Sequence, residues 1–268
     1  MSDRKRQEKF EAQMHDQTEL PGELIHLEDL HFISHRYNRS LELVSNKDVL
    51  EIGAGSTIAK KEISQLSKSY IGLDIAQQNI DRCLSLEDKY NVSFVKGDAH
   101  NTKFDNDSFD LIIALAMIYY LDLDHFLKEA SRILRPNGIL FFCTSNKCVQ
   151  GFVSSPYIKS YYTIPELNHA LKNYGFKAKF EGAFKQKKLI RQTILIFLRN
   201  ILKFCLNLIG LDRYWLIIRD KLKGEKVLIP EELSDFPNYE SPLSPINPES
   251  EDRIHRIIYC VSQLKDSK

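Results

Sequence analysis

The sequence predicts a doubly wound α/β fold, in which helices cover both faces of a mostly parallel sheet. Apolar runs that suit buried strands alternate with longer stretches of helical periodicity, as in strand–helix–strand units. Five such runs fall within the first 142 residues, at positions 49–52, 69–74, 92–95, 109–114 and 135–142. A sixth strand at residues 177–184 and a last strand at residues 253–261 complete the predicted sheet.

The first run leads into a glycine turn. Val49, Leu50 and Ile52 suit a strand that is buried on both faces. Gly53 and Gly55 then allow a sharp turn with no Cβ in the way, so a ligand can lie against the main chain. A strand, a glycine turn and a helix in this order are typical of several nucleotide-binding folds.

Carboxylates follow the second and third strands. Asp74 comes 19 residues after Gly55, close to the roughly 20 expected for an acid that binds ribose hydroxyls. Asp98 follows the third strand. Ligands of parallel sheets bind outside the carboxyl ends of the strands. We therefore expect both carboxylates at one rim of the sheet, beside the glycine turn.

The composition is that of an ordinary globular protein. The 268 residues are 43% hydrophobic and 27% charged, which suits one α/β domain with a modest addition. The net charge of +1 indicates no polyanionic partner, and nucleic acid is not expected. Five scattered cysteines without CxxC spacing predict a reducing compartment and no metal site. Because the charged first 20 residues do not form a signal peptide, we expect a cytoplasmic protein.

Five motifs in register carry a family resemblance. They are Val-Leu-Glu-Ile-Gly-Ala-Gly from Val49, Gly-Leu-Asp-Ile from Gly72, Gly-Asp-Ala from Gly97, Phe-Asp-Leu-Ile-Ile from Phe109 and Arg-Ile-Leu-Arg-Pro-Asn-Gly from Arg132. In this order and spacing, across residues 47–146, the sequence resembles the class I S-adenosylmethionine-dependent methyltransferases, in particular their small-molecule, type 11-like branch. The resemblance implies a Rossmann-like sheet with an antiparallel last strand, and S-adenosylmethionine as the cofactor.

The resemblance also implies the cofactor-binding residues. We expect Glu51 and the turn backbone to contact the ammonium of the cofactor's amino-acid tail. Asp74 is expected to accept from the ribose hydroxyls and Asp98 from the adenine amino group, while Ile75 and Ala99 contact the ring. The predicted cofactor-binding set is Glu51, Gly53, Ala54, Gly55, Asp74, Ile75, Asp98, Ala99 and Ala114.

The chain departs from the family pattern where a catalytic base would be expected. Many members have a pair of histidines after the fourth strand, whereas this chain has Tyr119 and Tyr120. A hydroxyl acceptor must still lose a proton, usually to a positioned base. We take Tyr119 and Tyr120 as the candidate catalytic residues, with His35 and the C-terminal half as alternatives.

The chain divides into four predicted segments. These are a helical N-terminal segment (1–46), the cofactor-binding core (47–184), a helical and proline-rich insertion (185–252) and the last strand with the C-terminus (253–268). Residues 185–223 carry ten Lys or Arg against two Asp. Four of them, Lys188, Arg191, Arg199 and Lys203, fall on one face of a predicted amphipathic helix. This helix either caps the substrate cleft or lies on an anionic membrane surface, such as the inner face of the cell membrane. Residues 230–250, with five prolines, are expected to be irregular.

Three functional hypotheses follow. The first is an S-adenosylmethionine-dependent methyltransferase that acts on a small-molecule, sugar or lipid-linked acceptor. The second is a non-catalytic S-adenosylmethionine-binding or membrane-associated module, because the sequence shows no base. The third is an NAD-dependent oxidoreductase, which the missing third glycine of the dinucleotide fingerprint disfavours.

Overall fold

The structure is a computed structural model. It describes residues 9, 11–15, 18–55, 58–84, 92–155, 158, 160–186, 224–237 and 239–266. The basic part of the predicted insertion, residues 187–223, lies outside the described residues, as does the amphipathic helix expected there.

Ten strands and five α-helices have defined bounds, and residues 11–15 are helical as well. The strands are β1 (Leu24–His26), β2 (Asp48–Ile52), β3 (Ser69–Asp74), β4 (Ser93–Lys96), β5 (Phe109–Leu115), β6 (Leu134–Ser145), β7 (Phe176–Lys185), β8 (Lys226–Leu228), β9 (Ser244–Ile246) and β10 (His255–Leu264). The α-helices are α1 (Leu27–Val44), α2 (Lys60–Leu66), α3 (Gln77–Leu84), α4 (Leu123–Ile133) and α5 (Ile164–Asn173). Short 3₁₀ helices span Ile118–Tyr120 and Leu233–Asp235.

Eight strands form one mixed sheet. Its order is β4-β3-β2-β5-β6-β10-β7-β9, and the first five strands are parallel. β10 lies between β6 and β7 and is antiparallel to both. The predicted fold class is therefore confirmed, including the antiparallel last strand. β7 is parallel to β6, because both are antiparallel to β10, so its carboxyl end lies at the same rim as those of β2 to β6.

Alternation along the strands divides the core into two layers. Leu50 and Ile52 of β2 pack with α4 and α5 on one face of the sheet. Val49 packs on the other face with α1, α2 and α3. Successive side chains of a strand point to opposite faces, so Glu51 points with Val49 toward α1. Burial of each large aliphatic side chain contributes about 1.5–3 kcal/mol, which makes this alternation decisive for the register.

The end of the predicted insertion is more regular than the sequence indicated. Residues 230–250 were expected to be irregular, but β9 adds a strand to the edge of the main sheet beside β7. β8 pairs with β1 in a separate two-stranded ribbon, and Ile229, Leu233 and Phe236 are buried against the layer that contains α1. The prolines of this segment favour irregular structure. An edge strand nevertheless tolerates proline, and Pro245 lies within β9.

Within the described residues, no helix has both the length and the apolar character needed to cross a membrane.

Candidate functional site

A cavity of about 970 Å³ opens at the carboxyl ends of β2 to β5. One wall is the glycine turn after β2, and the opposite wall is formed by the segments that follow β3, β4 and β5. Residues from the N-terminal part, including Thr18, Glu19 and Arg36, complete it. The predicted residues Gly53, Ala54, Gly55, Asp74, Ile75, Asp98, Ala99, Tyr119 and Tyr120 all line this cavity.

The glycine turn is held open by backbone hydrogen bonds to β3. The N–H groups of Gly53 and Ala54 donate to the carbonyl oxygen of Leu73 at 2.8 and 3.1 Å. Gly53 has φ +68°, in the left-handed region that favours glycine. A Cβ at Gly53 would lie 2.4 Å from Sδ of Met117, so this methionine packs directly on the turn.

Asp74 is the buried carboxylate of the site. It accepts hydrogen bonds from the backbone N–H of Gly55 at 3.0 Å and of Ala76 at 2.9 Å. Burial raises the pKa of Asp74, and the two backbone N–H groups and the Asn79 amide partly oppose that rise. Asp74 thus lies directly beside the turn.

Asp98 and His100 form a hydrogen-bonded pair on the far side of the cavity. Asp98 accepts from the backbone N–H of His100 at 2.9 Å and pairs with its ring Nδ1 at 2.6 Å. The hydrogen bond from His100 lowers the pKa of Asp98. Because Nε2 of His100 accepts from the N–H of Asp122 at 2.9 Å, the proton of the ring is on Nδ1. Ala99 and Ile75 supply apolar surface between Asp98 and Asp74.

Two predicted cofactor residues do not line the cavity. Glu51 is 1% exposed and lies under the turn, where it accepts from the Tyr70 hydroxyl at 2.6 Å. Glu51 lies outside the cavity lining because it occupies the strand position that points toward α1. Burial raises the pKa of Glu51 to about 7. Ala114 is fully buried in the core on the α4 face. The strand runs one residue further than predicted, so Leu115, Ala116 and Met117 reach the cavity instead.

The tyrosines form the aromatic end of the cavity. The rings of Tyr119 and Tyr120 lie 4.9 Å apart, and Tyr161 lies 5.6 Å from Tyr119. Burial raises the pKa of Tyr119 well above its usual value and that of Tyr120 to about 12. Both hydroxyls are therefore protonated at neutral pH, which suits hydrogen-bond donation and disfavours service as a base.

Arg36 and Glu19 are site residues that the sequence analysis did not select. Arg36 of α1 forms an ion pair with Glu19, and both line the cavity beside the tyrosines. Nε of Arg36 is buried and has no hydrogen-bond partner among the described residues. The sequence pointed instead to the neighbouring residue, His35. Adjacent residues of a helix point in different directions, and in α1 it is Arg36 that lines the cavity.

His35, the alternative base, faces away from the cavity. Its Nε2 donates to the Ser241 carbonyl at 2.9 Å, so Nδ1 accepts from the Tyr259 hydroxyl at 2.7 Å. Burial lowers the pKa of His35. The described residues contain no group of three or more His, Cys, Asp or Glu that could hold a metal ion.

Comparison with known proteins identifies the central part of the chain. Residues 50–142 match the family described as "Methyltransferase domain". A ubiquinone biosynthesis O-methyltransferase of Pelagibacter ubique is 28% identical over 113 residues, which are 41% of this chain and 47% of that protein. A phthiotriol/phenolphthiotriol dimycocerosates methyltransferase of Mycobacterium leprae is 34% identical over 111 residues, or 40% of this chain and 41% of that protein.

The fold has matches among solved structures as well. The YcgJ protein from Bacillus subtilis superposes with a TM-score of 0.57 at 15% identity, over 87% of this chain and 99% of that one. This likeness concerns the fold alone. The chain spans less than half the length of the two relatives named above. The predicted class I methyltransferase domain is therefore confirmed for residues 50–142. This family implies S-adenosylmethionine as the cosubstrate.

Proposed function

We propose, from the methyltransferase domain at residues 50–142, that this protein transfers a methyl group from S-adenosylmethionine to a hydroxyl of a small or lipid-linked acceptor. The observation that carries the proposal is the cavity at the strand ends, where a glycine turn faces Asp74 and an aromatic pocket adjoins both. The names of the two relatives support the acceptor class, since one acts in ubiquinone biosynthesis and the other on phthiotriol lipids.

The residues present fit the cosubstrate. Gly53, Ala54 and Gly55 of the turn line the cavity, and Asp74 beside them can accept from a ribose diol. Asp98 is half-exposed and free on its outer side to accept from an adenine amino group, beside apolar Ala99. Arg36 lines the cavity, and its guanidinium suits the carboxylate of the amino-acid tail.

Catalysis then depends on orientation at the aromatic end of the cavity. S-adenosylmethionine supplies a methyl group that its positively charged sulfur activates toward nucleophiles. Tyr119 and Tyr120 hold the acceptor by hydrogen-bond donation and exclude water from the reacting hydroxyl. The Glu19 carboxylate lies at the same end of the cavity and accepts the proton that the hydroxyl releases. Alignment of the two reactants supplies much of the rate, of order 7–11 kcal/mol in the best intramolecular cases.

Asp74→Ala tests the cosubstrate site. We expect its affinity for S-adenosylhomocysteine to fall by about 1–3 kcal/mol, because the ribose hydroxyls lose their buried acceptor. Calorimetry on the folded variant measures this, with Asp81→Asn on the exposed side of α3 as a control that should bind like the wild type. Wild-type affinity in Asp74→Ala would contradict the assignment. Titration with NAD separately tests the oxidoreductase alternative, and we expect no binding.

Tyr119→Phe and Tyr120→Phe test the catalytic assignment. At least one variant should transfer about tenfold less labelled methyl to acceptors in a cell extract, since each loses one donor to the acceptor. Affinity for S-adenosylhomocysteine should stay within about twofold of wild type, because neither hydroxyl is assigned to the cosubstrate. Normal transfer by both variants would make the tyrosines packing residues. No transfer by the wild type to any extract would favour the non-catalytic binding module.

We also propose that the insertion, residues 185–252, is a separate segment whose basic part, 185–223, covers the acceptor end of the cavity. Its described ends support this. The insertion leaves from the carboxyl end of β7, where the Gln186 side chain donates to the Gln150 carbonyl at 3.1 Å. The loop that holds Gln150 also supplies Ser155 and Ile158 to the cavity. The insertion returns at β8, beside the start of the helix that carries Arg36.

Vesicle co-sedimentation distinguishes this cap from membrane contact. A cap predicts no binding to vesicles of any anionic content. Binding that rises with anionic lipid and falls with salt would contradict a purely capping role. In that case a triple variant with Lys187, Lys188 and Arg191 changed to Gln should bind anionic vesicles more weakly, by about 1 kcal/mol for each substituted residue. The matched control changes the exposed Lys103, Lys128 and Lys177 in the same way.

A further inference from the structure

Asn79 is a buried amide in the first turn of α3, where it faces the cavity. Its side chain is 1% exposed, and it lines the cavity near Asp74. A buried amide is stable only when its donors and acceptor find partners. The partners of Asn79 belong to two different parts of the site, the ribose-side carboxylate and the N-terminal residues.

The N-terminal strap, as we call residues 11–15 and 18–21, takes two of these hydrogen bonds. Nδ1 of His15 pairs with Oδ1 of Asn79 at 2.7 Å, and Nδ2 of Asn79 donates to Oγ1 of Thr18 at 3.0 Å. The Thr18 hydroxyl in turn donates to the carbonyl of Met14 at 3.1 Å. Asn79 therefore attaches the strap to α3 at two residues, His15 and Thr18.

The amide of Asn79 also faces the Asp74 carboxylate, and it partly opposes the rise that burial causes in the pKa of Asp74. The same carboxylate accepts from the N–H of Gly55. A Cβ at Gly55 would lie only 2.9 Å from Cγ2 of Thr18, so the strap packs against the glycine turn. Asp74, Gly55, Thr18 and Asn79 thus form a closed ring of contacts around one edge of the cavity.

We infer that Asn79 is a positioning residue that couples the ribose-binding carboxylate to the N-terminal strap, so that the strap closes on the bound nucleoside. The inference rests on the proposed cosubstrate site. Asn79 donates to Thr18, Thr18 packs on Gly55, and the N–H of Gly55 donates to Asp74. Rotation of Asn79 away from Thr18 therefore loosens the strap and the turn that holds the carboxylate. Met14, Thr18 and Glu19 of the strap line the cavity, and the release of Asn79 therefore removes a wall of the site.

A purely structural role for Asn79 makes a different prediction. If it only stabilised the start of α3, its loss would weaken all ligands of the cavity to the same extent. A positioning role acts through Asp74 and thus through the ribose hydroxyls. Comparison of adenosine with 2′,3′-dideoxyadenosine, which lacks both hydroxyls, separates the two.

The test uses the full chain with Asn79→Leu, which keeps the volume and removes the hydrogen bonds to His15 and Thr18. We expect S-adenosylhomocysteine to bind about tenfold more weakly. The preference for adenosine over 2′,3′-dideoxyadenosine should also fall about tenfold. Hydrogen exchange should show that S-adenosylhomocysteine protects the strap amides in the wild type and not in the variant. Asp81→Asn, on the exposed face of the same helix, is the matched control and should behave as wild type.

His15→Ala provides a second test that does not depend on the folding of Asn79→Leu. His15 does not line the cavity, so its loss should leave the preference for adenosine over the dideoxy analogue intact. It should still speed the release of S-adenosylhomocysteine by about threefold or more and reduce the protection of the strap, because one of two anchors is gone. Unchanged release and unchanged protection in His15→Ala would overturn the inference. So would an unchanged adenosine preference in folded Asn79→Leu.

These outcomes are distinct from failure of the proposed function. If the wild-type protein binds neither S-adenosylhomocysteine nor adenosine, the cosubstrate site itself is wrong. If the wild type binds both and Asp74→Ala weakens them, the cosubstrate site stands and the two variants above decide the role of Asn79 alone.

Discussion

Glu51→Gln should make the protein more stable than the wild type at pH 8 by about 3 kcal/mol, and equally stable near pH 4.5. The carboxyl group is almost fully buried, and burial raises its pKa from 4.5 to about 7. A carboxyl with a raised folded-state pKa binds its proton more tightly when the chain is folded. The wild type therefore loses stability as pH rises from about 4.5 to 7, and above pH 7 the loss is complete.

The glutamine side chain has the shape of the protonated acid and still accepts from Tyr70, which lies 2.6 Å from Glu51. Urea unfolding of both proteins between pH 4.5 and 8 measures the difference directly. Glu231→Gln, at an exposed position, should follow the wild type throughout. A stability difference that does not change with pH would show that Glu51 does not titrate in this range.

Gly53→Val should abolish S-adenosylhomocysteine binding and destabilise the fold severely. The backbone at Gly53 has φ +68°, where a β-branched residue carries about 1–3 kcal/mol of strain. The new Cβ would also lie 2.4 Å from Sδ of Met117, so this side chain, which lines the cavity, must move. Denaturant unfolding together with calorimetry measures both losses.

Gly22→Val separates the two contributions. Gly22 has φ +86°, but a Cβ there meets nothing within 4 Å. This control therefore carries backbone strain without overlap, and it should retain binding. If Gly53→Val were no more harmful than Gly22→Val, the glycine turn would not be the close approach that the site requires.

Sequence patterns were sufficient for the sheet and for most of the cavity. Apolar runs predict the buried strands. The glycine turn and Asp74 are predicted at the rim because each comes directly after one of these strands. Ala114 does not line the cavity because tertiary pairing sets the strand ends, and β5 continues to Leu115 beside Cys143 of β6. Glu51 does not line it because the alternation of the strand turns its side chain toward α1.

The residues that the sequence analysis missed come from distant parts of the chain. Glu19 meets Arg36, and Asn79 meets His15 and Thr18, through docking of the strap on the sheet rim. Neither pairing has a periodicity or a spacing that identifies it in advance. Only the fold brings such groups together, because their separations along the chain reflect the topology and not local geometry.

The position of β10 determines when this protein can acquire its structure during synthesis. Among the strands that the structure describes, β10 is the last to be synthesised, yet it lies between β6 and β7. β7 therefore has no neighbour in the parallel part of the sheet until β10 has emerged, and β9 joins the sheet only through β7. Chains grow at about 5–20 residues per second, so β7 waits roughly 4–16 s for β10 to be made. During that interval its edge is open to other chains, and a slowed ribosome would lengthen the exposure.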